Sequence, residues 1–419
     1  MTDIFRIAVR NLLRYRRRSL MTALLIVIGL VLVIVFSGIS GSFKNMMIGM
    51  LTDSMLGHLQ IHKKGYVSSI DNLPLHLNIG EKGIGELQAL LDSEKGVVEA
   101  YTFRIKLGAM LSNFEQTTNI RLTAVVPEME LRTCPMLVDR LIDNASRKDD
   151  FLKPGQVLIP ENLATGLKLK AGDEVVLVAT NQDGSVNGLG LKVAGVMEGL
   201  LGPSGRDGYM HIEDARNLLR IDGNEINEIA IRLRNPGSLD AAQIAMARKV
   251  KALVNPKGMP TYELHTWADL SPFSSIAMIV DVLVITVKIV LISIVLVSVL
   301  NVMMMAVYER VREIGTIAAI GTLPSRILGL FLAEGFMLGL ISTVIGVLVG
   351  VGGLLIINLS GFHFSFGRMK QIPLKVSIAP EEVLVAALIV VAVALFSSFQ
   401  PAYKASRLAP VEALRRGGE

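Results

Sequence analysis

Cysteine is almost absent from this sequence, with Cys134 as its single example. One cysteine cannot form a disulfide within the chain, and no neighbouring histidines or cysteines have the spacing of a zinc site. These absences exclude a disulfide-stapled scaffold and a cysteine-based metal centre. We expect Cys134 to be an ordinary small side chain of the fold.

Catalytic motifs are missing as well. The sequence contains no Gly-x-x-x-x-Gly-Lys-[Ser/Thr], the loop whose backbone amides cradle nucleotide phosphates. No Ser/His/Asp set or pair of acids stands out. We therefore predict that the chain is not an enzyme, has no catalytic or metal-ligating residues and holds no cofactor of its own. The modest formal net charge of +5 gives no reason to expect a nucleic acid partner.

Charged residues are scarce, at 19%, while 51% of the residues are hydrophobic and the mean hydropathy is +0.51. This composition is too apolar for a soluble globular protein and too charged for a chain embedded wholly in lipid. A membrane protein with one large water-exposed domain satisfies both facts.

Long apolar runs explain the hydropathy, because a bilayer crossing needs about 20 apolar residues. We predict four transmembrane helices, at residues 19–43, 273–308, 326–358 and 381–401. The water-exposed segment, residues 44–272, follows the first of them. The predicted fold class is an α-helical membrane protein with four spans in one-plus-three order and a large mixed α/β extracytoplasmic domain of two lobes.

Arginines set the predicted orientation. Residues 1–18 are predicted to form an amphipathic helix with a basic stripe of Arg6, Arg10, Arg14 and Arg17. Such a stripe suits an anionic membrane surface and also holds the N-terminus in the cytoplasm. The segment at 309–325 and the tail at 402–419 are then cytoplasmic as well.

The loop at 359–380 is predicted to be external, although it carries Arg368, Lys370 and Lys375. The crossing count and the N-terminal arginines outweigh these three cations.

Alternation of apolar and polar residues predicts strands within 44–272, and we place the start of the second lobe after about Gly199. His58 and His62 fall on one face of a predicted strand. A separation of about 13 Å along a strand is too large for a shared metal. We therefore favour two polar surface residues over a metal site.

The second span is longer than a bilayer requires. Asp281 and Lys288 lie seven residues apart, on one predicted face, near its external end. The helix is either a stalk that continues out of the membrane or an ordinary long, tilted span. In the third span, pairs of glycines four residues apart predict close helix packing: Gly335 with Gly339, and Gly346 with Gly350.

A short charged patch, Glu309 to Gly315, separates the second and third spans and continues to Gly321 and Pro324. Charges are costly inside lipid, so this patch lies at a membrane surface. Ile314, Ile317, Ala318 and Ile320 are predicted to form one apolar helical face. The residue types fit a docking helix and a plain loop equally well.

The patch resembles the core signature of the FtsX/MacB/Lol superfamily of ABC-transporter permeases. The resemblance lies in Glu309-Arg-x-Arg-Glu-Ile-Gly, then Ala319-x-Gly321, then Phe331-Leu-x-Glu334-Gly335. It implies that the patch is a coupling helix seated on a separate ATPase subunit. The residues implied to couple are Glu309, Arg310, Arg312, Glu313, Gly315, Ala319 and Gly321.

Other segments are similar to the same superfamily. Leu158-Ile-Pro-Glu, followed by Leu167-x-Leu-x-x-Gly-Asp, resembles the MacB-like periplasmic core domain, and the tail from Pro401 resembles the family's C-terminal signature. Thr266-Trp267 resembles the lipoprotein-releasing branch. The resemblance implies a multi-pass protein of the inner (plasma) membrane, with its large domain in the periplasm.

The resemblance also implies partners and a mechanism. The partners are an ABC ATPase subunit that carries ATP and Mg, a second permease copy in a homodimer or heterodimer, membrane lipid, and a periplasmic adaptor or lipoprotein. The permease would transmit ATP-driven motion to its periplasmic domain, to release or export a lipoprotein, lipid or other amphipathic substrate. The alternative is an FtsX-like transmitter that activates an external enzyme without transport.

Overall fold

The computed structural model describes residues 2–142, 151–199, 205–271, 273–361, 363–366, 369–373 and 376–408. Arg368, Lys375 and the tail beyond residue 408 lie outside the described residues, and so do the side chains of the hairpin that contains Lys370. The chain divides into a helical unit, Met1–Asn45 with Ile276–Glu419, and a sheet unit, Met46–Ser275.

The helices, in chain order, are α1 (Thr2–Arg14), α2 (Arg16–Leu51), α3 (Glu81–Ser93), α4 (Pro127–Thr133), α5 (Glu161–Leu167), α6 (Ile212–Leu219), α7 (Leu239–Lys251), α8 (Trp267–Leu270), α9 (Phe273–Glu309), α10 (Val311–Ala319), α11 (Pro324–Leu359) and α12 (Pro380–Ser406). A π-helical turn, Thr52–Leu56, follows α2, and 3-10 segments cover Val67–Asn72, Pro135–Arg140 and Pro236–Ser238.

The strands are β1 (Leu59–Lys63), β2 (Val98–Ser112), β3 (Thr117–Val125), β4 (Gln156–Pro160), β5 (Glu174–Thr180), β6 (Val186–Met197), β7 (Asp207–His211), β8 (Glu228–Leu233), β9 (Tyr262–Thr266), β10 (His363–Phe366) and β11 (Met369–Pro373). The last two form an antiparallel hairpin in the helical unit, and the other nine form one sheet.

Four helical segments of the described chain are long and apolar enough to cross a membrane. They are Arg16–Leu56, Phe273–Glu309, Pro324–Leu359 and Pro380–Ser406. Each of these helices carries apolar residues on all of its faces, as expected of a helix in lipid. Proline opens α11 and α12 at the first turn, where its missing amide hydrogen is not needed. The predicted fold class, with one span before and three after a mixed sheet and helix domain, is confirmed.

The helical unit has its own apolar core, to which all four long helices contribute. Ile26, Leu30 and Ile34 come from α2, and residues of α9, α11 and α12 pack around them: Val295, Val299, Met303, Phe331, Leu338, Leu354, Val390 and Ala402. The core therefore fixes how α9 and α11 enter the charged patch.

Six strands of the sheet unit close into a ring, in the order β3-β7-β4-β6-β5-β2 and back to β3. Closure removes the free strand edges that an open sheet would present. Helix α6 packs against five of the six strands, and its buried Ile212, Ala215, Leu218 and Leu219 belong to the same core as the strands. The ring is the first lobe of the sheet unit.

The second lobe extends from β2 through β8 and β1 to β9. The long strand β2 belongs to both lobes, because Val98 to Arg104 pair with β8 and Arg104 to Ser112 pair with β3. The predicted division after Gly199 is wrong. The chain beyond that point returns to the ring as β7, between β3 and β4, before it supplies β8 and β9 to the second lobe.

Candidate functional site

The charged patch folds as α10, a nine-residue helix between α9 and α11. Arg310 has φ −107° and ψ 16°, so the helical path of α9 is interrupted there and α10 starts in a new direction. Gly321 has φ +94°, a left-handed conformation that favours glycine and ends the segment after α10. Thr322 and Leu323 then lead to Pro324 at the start of α11. The result is a compact helix of roughly 14 Å that connects two long ones.

Arg310 points into the helical unit. Its side chain is only 5% exposed, and its Nη1 donates to Glu334 Oε2 at 3.0 Å. The guanidinium carbon lies 4.2 Å from the centroid of the Tyr15 ring, in cation–π geometry. Glu334 is buried on α11. Arg310 therefore anchors α10 to α11 and is not part of an exposed contact surface.

The start of α2 supplies a second cation to this pair. Arg18 Nη1 donates to Glu309 at 3.1 Å, and Arg18 Nη2 lies 4.0 Å from Glu334. On the other side, Glu313 lies 3.9 Å from Arg14 and accepts a 3.5 Å hydrogen bond from the Tyr15 hydroxyl. The exposed pair of Arg14 and Glu313 is weak on its own, at about 0–1 kcal/mol. Together these contacts connect the N-terminal segment to the start of α10 and to α11.

The other side of the α10 region is exposed and partly apolar. Ile317, Ile320 and Leu323 are 40%, 81% and 60% exposed, and Arg312, Thr316 and Ala319 are exposed beside them. Ile314 and Gly315 are buried. The prediction of one apolar face is therefore wrong: Ile314 packs inward, whereas Ile320 lies just beyond the last residue of α10 and faces out. We call Ile317, Ile320 and Leu323 the outward triad.

The glycines of α11 lie at close approaches to two different helices. A Cβ on Gly335 would overlap Ser398 Oγ, and one on Gly339 would lie 2.6 Å from Ala394 Cβ, both on α12. A Cβ on Gly346 would lie 3.0 Å from Leu30 and one on Gly350 would lie 3.1 Å from Ile34, both on α2. The first pair thus brings α11 close to α12, and the second pair brings it close to α2.

Ion pairs hold α9 near the far end of the helical unit. Lys44 Nζ donates to Asp281 at 2.7 Å, and Lys288 Nζ lies 3.5 Å from Glu382. Asp281 and Lys288 were predicted to share a face, but they contact different helices, α2 and α12. Near the middle of α9, Val295 packs where Gly29 of α2 has no side chain. Helix α9 is thereby held at several points along its length.

A separate cluster of buried charges lies in the sheet unit, where the two lobes share β2. Arg104 donates through Nε and Nη2 to the two carboxylate oxygens of Glu130, at 3.0 and 2.6 Å, and through Nη1 to Glu228 at 2.8 Å. Lys106 Nζ lies 2.6 Å from Glu228. Glu130 follows β3 of the ring and Glu228 opens β8 of the second lobe. Arg104 therefore joins the lobes.

His58 and His62 belong to the interior of this region, so the predicted surface location is wrong. His58 Nδ1 accepts a hydrogen bond from the Leu233 amide at 2.9 Å, and His62 Nε2 lies 3.3 Å from Glu228. Burial lowers the pKa of both histidines. Burial alone would raise the pKa of Glu228, but Lys106, His62 and Arg104 hold it well below its usual range. Within the described residues, no group of three acidic, histidine or cysteine side chains could hold a metal ion.

Cys134 is fully buried beside the same cluster, with Arg104 Nη2 3.2 Å from its Sγ. Burial raises the pKa of this thiol to about 12. The sequence predicted an ordinary small side chain but not its burial, and in the folded protein Cys134 is not accessible to a thiol reagent.

The chain enters and leaves the second lobe on neighbouring strands. The π-helical turn after α2 is tied to β8 by Asp53 and Arg232, 2.6 Å apart, and leads into β1. Strand β9 pairs antiparallel with β1 along five residues. Thr266 then forms a capping box with Asp269, the local role of the Thr266-Trp267 motif, and starts α8 just ahead of α9. Entry and exit are therefore bonded directly to each other.

Four candidate spans, a short connecting helix with an exposed apolar triad, and a ring-shaped sheet domain define a membrane protein with a large extracytoplasmic domain. Residues 19–249, more than half of the chain, match the MacB-like periplasmic core domain family, and residues 283–410 match the FtsX-like permease C-terminal family. The chain belongs to the FtsX/MacB/Lol family of ABC-transporter permeases.

The chain is similar to LolC, a lipoprotein-releasing system transmembrane protein of Neisseria meningitidis, with 22% identity over 77% of this chain and 79% of that protein. It is also similar to the macrolide export ATP-binding/permease protein MacB of Agrobacterium fabrum, with 23% identity over 99% of this chain and 61% of that protein. The periplasmic region of MacB from Actinobacillus actinomycetemcomitans matches 54% of this chain and 94% of its own length, with 13% identity and a TM-score of 0.36. The matched region is less than two thirds of the MacB relatives' own length, and for one from Nitrobacter winogradskyi only 16%.

Proposed function

We propose that this chain is a permease subunit of an ABC transporter and that it works with a separate ATPase subunit, which binds ATP and Mg. The observation that carries the proposal is the outward triad of the α10 region. Exposed apolar residues rimmed by polar ones are typical of protein contact sites. The polar rim here includes Arg312, Glu313 and Thr316. The outward triad would dock on the ATPase.

The anchoring of α10 supports its role in transmitting motion. Arg310 ties α10 to Glu334 of α11, and Arg18 ties Glu309, the last residue of α9, to the start of α2. A displacement of α10 by the ATPase would therefore move the ends of α9 and α11 together. Helix α9 is continuous over 37 residues, roughly 55 Å, which suits a lever. The residues predicted to contact the ATPase then divide into two groups. Those that are exposed are Glu309, Arg312, Glu313, Ala319 and Gly321, and those that are buried are Arg310 and Gly315.

Helix α9 also supports the proposed second permease copy. Its buried residues are Val295, Val299, Met303, Ala306 and Val307, whereas many apolar residues elsewhere along the helix are exposed within one chain. In the membrane, this surface would be shared between lipid and a second permease. We propose a dimer of permeases, each with one ATPase, in the inner membrane and with the sheet unit in the periplasm.

The proposed substrate class is a lipoprotein, lipid or other amphipathic molecule. Support comes from the similarity to a lipoprotein-releasing protein over 77% of this chain. A periplasmic adaptor or a lipoprotein would bind to the sheet unit. Release would follow from motion of β9 relative to β1, since these neighbouring strands lead to the helices that carry the motion.

Purification of the tagged full-length chain from its native membranes tests the proposal. An ATP-hydrolysing subunit should copurify, and Ile320→Asp should reduce its retention at least about thirtyfold, because a charge would replace an apolar contact at the interface. The matched control is Ile244→Asp in the sheet unit, an apolar residue with 55% exposure. Equal retention of the ATPase by both variants would contradict the docking role. If a cell-wall hydrolase copurifies and neither lipoprotein nor lipid does, the function is signalling to that enzyme and not transport.

A further inference from the structure

A groove of about 480 Å³ lies between α1 and the α10–α11 segment of the helical unit. This volume falls in the usual range for small-molecule sites. The groove's apolar lining includes Ile7, Ile327, Leu330 and Phe331. Its charged lining is three arginines, Arg14, Arg310 and Arg326, and one acid, Glu313. The groove thus combines an apolar wall with an excess of positive charge.

Arg310, one of the residues that line the groove, has an unused donor edge. Its Nη1 is occupied by Glu334, but its Nε and Nη2 are buried and have no hydrogen-bond partner among the described residues. These two nitrogens form one side of the guanidinium fork, which matches two oxygens of a phosphate or carboxylate. A buried donor without a partner is costly, so this edge indicates a missing acceptor.

The position of the groove favours a lipid phosphate as that acceptor. Ile327, Leu330 and Phe331 lie in the first turns of α11, where its apolar candidate span begins. Arg14 belongs to the basic stripe of the N-terminal segment, and Arg326 is exposed in the first turn of α11. Arginines at the cytoplasmic end of a span are the side chains that recognise anionic lipid headgroups. A protein carboxylate would have to enter past apolar walls that suit an acyl chain.

We propose that this groove binds one anionic phospholipid of the cytoplasmic leaflet. The phosphate diester pairs with the Nε and Nη2 edge of Arg310, with Arg14 and Arg326 beside it, and an acyl chain lies along Leu330 and Phe331. The lipid contacts α1, α10 and α11 at once, so it stabilises the arrangement in which α10 is anchored. The groove shares Ile317, Glu313 and Thr316 with the surface proposed to dock on the ATPase, so lipid binding has to be measured on the permease chain alone.

Native mass spectrometry of the purified full-length chain tests the site, with dioleoyl phosphatidylglycerol titrated in mild detergent. The wild type should bind one phosphatidylglycerol in preference to phosphatidylcholine. The double substitution Arg14→Gln with Arg326→Gln should weaken binding about tenfold or more, since each cation near an anionic headgroup contributes. Arg14→Lys with Arg326→Lys retains the charges and should recover most of the binding.

The matched control is Arg6→Gln with Arg10→Gln, which removes two exposed arginines of α1 that do not line the groove. This control should bind phosphatidylglycerol within about threefold of wild type. An equal loss in both glutamine variants would overturn the proposal in favour of diffuse surface charge. Displacement of the lipid by excess glycerol 1-phosphate would also overturn it, because the groove would then hold only a phosphate. A third outcome would also overturn the proposal: Arg14→Gln with Arg326→Gln binds lipid as the wild type does but no longer copurifies with an ATPase. The groove would then be a contact site for a protein.

Discussion

Two buried arginines, Arg104 in the sheet unit and Arg310 in the helical unit, are used in opposite ways. Arg104 donates from all three nitrogens, with the Nε and Nη2 edge fully matched to Glu130. Arg310 donates only from Nη1, to Glu334, and its Nε and Nη2 edge has no partner among the described residues. A guanidinium whose donors are all bonded within the chain holds its neighbours together without any external group. A guanidinium with free donors can bind a group from outside the chain. The bonding of Arg104 fits a sheet unit that moves as a whole. The free edge of Arg310 fits an α10 region that has to respond to partners.

The largest expected effect is on the stability of the sheet unit, when the ion pairs of Arg104 are removed. Arg104→Met leaves Glu130 and Glu228 buried without their shared cation, and loss of one partner of a buried pair typically costs about 3–5 kcal/mol. Trp267 is the single tryptophan and lies in the sheet unit, so its fluorescence reports unfolding of that unit alone. Denaturant unfolding of the full-length protein should show the loss. The control, Arg248→Met on the exposed side of α7, should stay within about 0.5 kcal/mol of wild type.

The same substitution at Arg310 should affect the coupling of ATP hydrolysis to substrate rather than the stability of the sheet unit. Arg310→Met leaves Glu334 buried and unpaired, but the Trp267 transition should not move, because Arg310 belongs to the other unit. ATP hydrolysis by the purified complex should no longer respond to substrate. Arg310→Lys keeps a charge for Glu334 but loses the planar fork over Tyr15, so partial coupling should return. A shifted Trp267 transition in Arg310→Met would erase the contrast between the two regions.

The close packing of α11 against α12 gives a smaller effect that sharpens the comparison. Gly339→Ala on α11 would place a methyl group 2.6 Å from Ala394 Cβ, and overpacking of this kind costs about 1–3 kcal/mol. Thermal stability of the full-length protein in detergent should fall, together with coupling. Gly352→Ala on the same helix has no atom within 4 Å of the new methyl group, and it should behave like wild type. Equal behaviour of the two variants would mean that α11 and α12 do not need this close approach.

The pH dependence of the sheet unit is a smaller, graded test of its buried cluster. Because burial lowers the pKa of His58 and His62, the unfolded chain takes up protons below about pH 6.5 that the folded chain does not. Stability should therefore fall as the pH drops below 6.5. It should fall further below about pH 4.5, where unfolded Glu228 is protonated but folded Glu228 stays charged. Trp267-monitored unfolding at pH 7.5, 5.5 and 3.5 checks both steps, and His62→Gln should reduce the loss of stability between pH 7.5 and 5.5. A sheet unit that becomes more stable as the pH is lowered would contradict the predicted direction of the pH dependence.

Features that depend on local sequence were predictable. Apolar length fixed the four spans, and the ordered residues from Glu309 to Gly335 identified the family. Contacts between distant residues were not predictable. Nothing near Tyr15 or Arg18 indicates that they reach Arg310 and Glu309, almost 300 positions away, since only the packing of α2 against α9 and α11 brings them together.

The sheet unit shows the same limit. An Arg104 on a strand and a Glu228 on another look like ordinary polar positions, and their pairing follows from the register of β2 against β8. Alternation placed His58 and His62 on one face, but it could not show that this face is buried beneath a charge cluster. One signal was available: Glu334, a lone acid in an apolar run, requires a cation as partner.

Crosslinking from the outward triad tests most directly the claim that α10 receives motion from an ATPase. Cys134 is fully buried, so in Ile320→Cys the introduced thiol would be the accessible one. A short thiol-linked photocrosslinker at position 320 should join this chain to the ATPase subunit in native membranes, and the yield should change between ATP-bound and nucleotide-free states. The same probe in Ile244→Cys, in the sheet unit, should not capture that subunit. Crosslinks from position 320 to lipid alone, in every nucleotide state, would contradict the account.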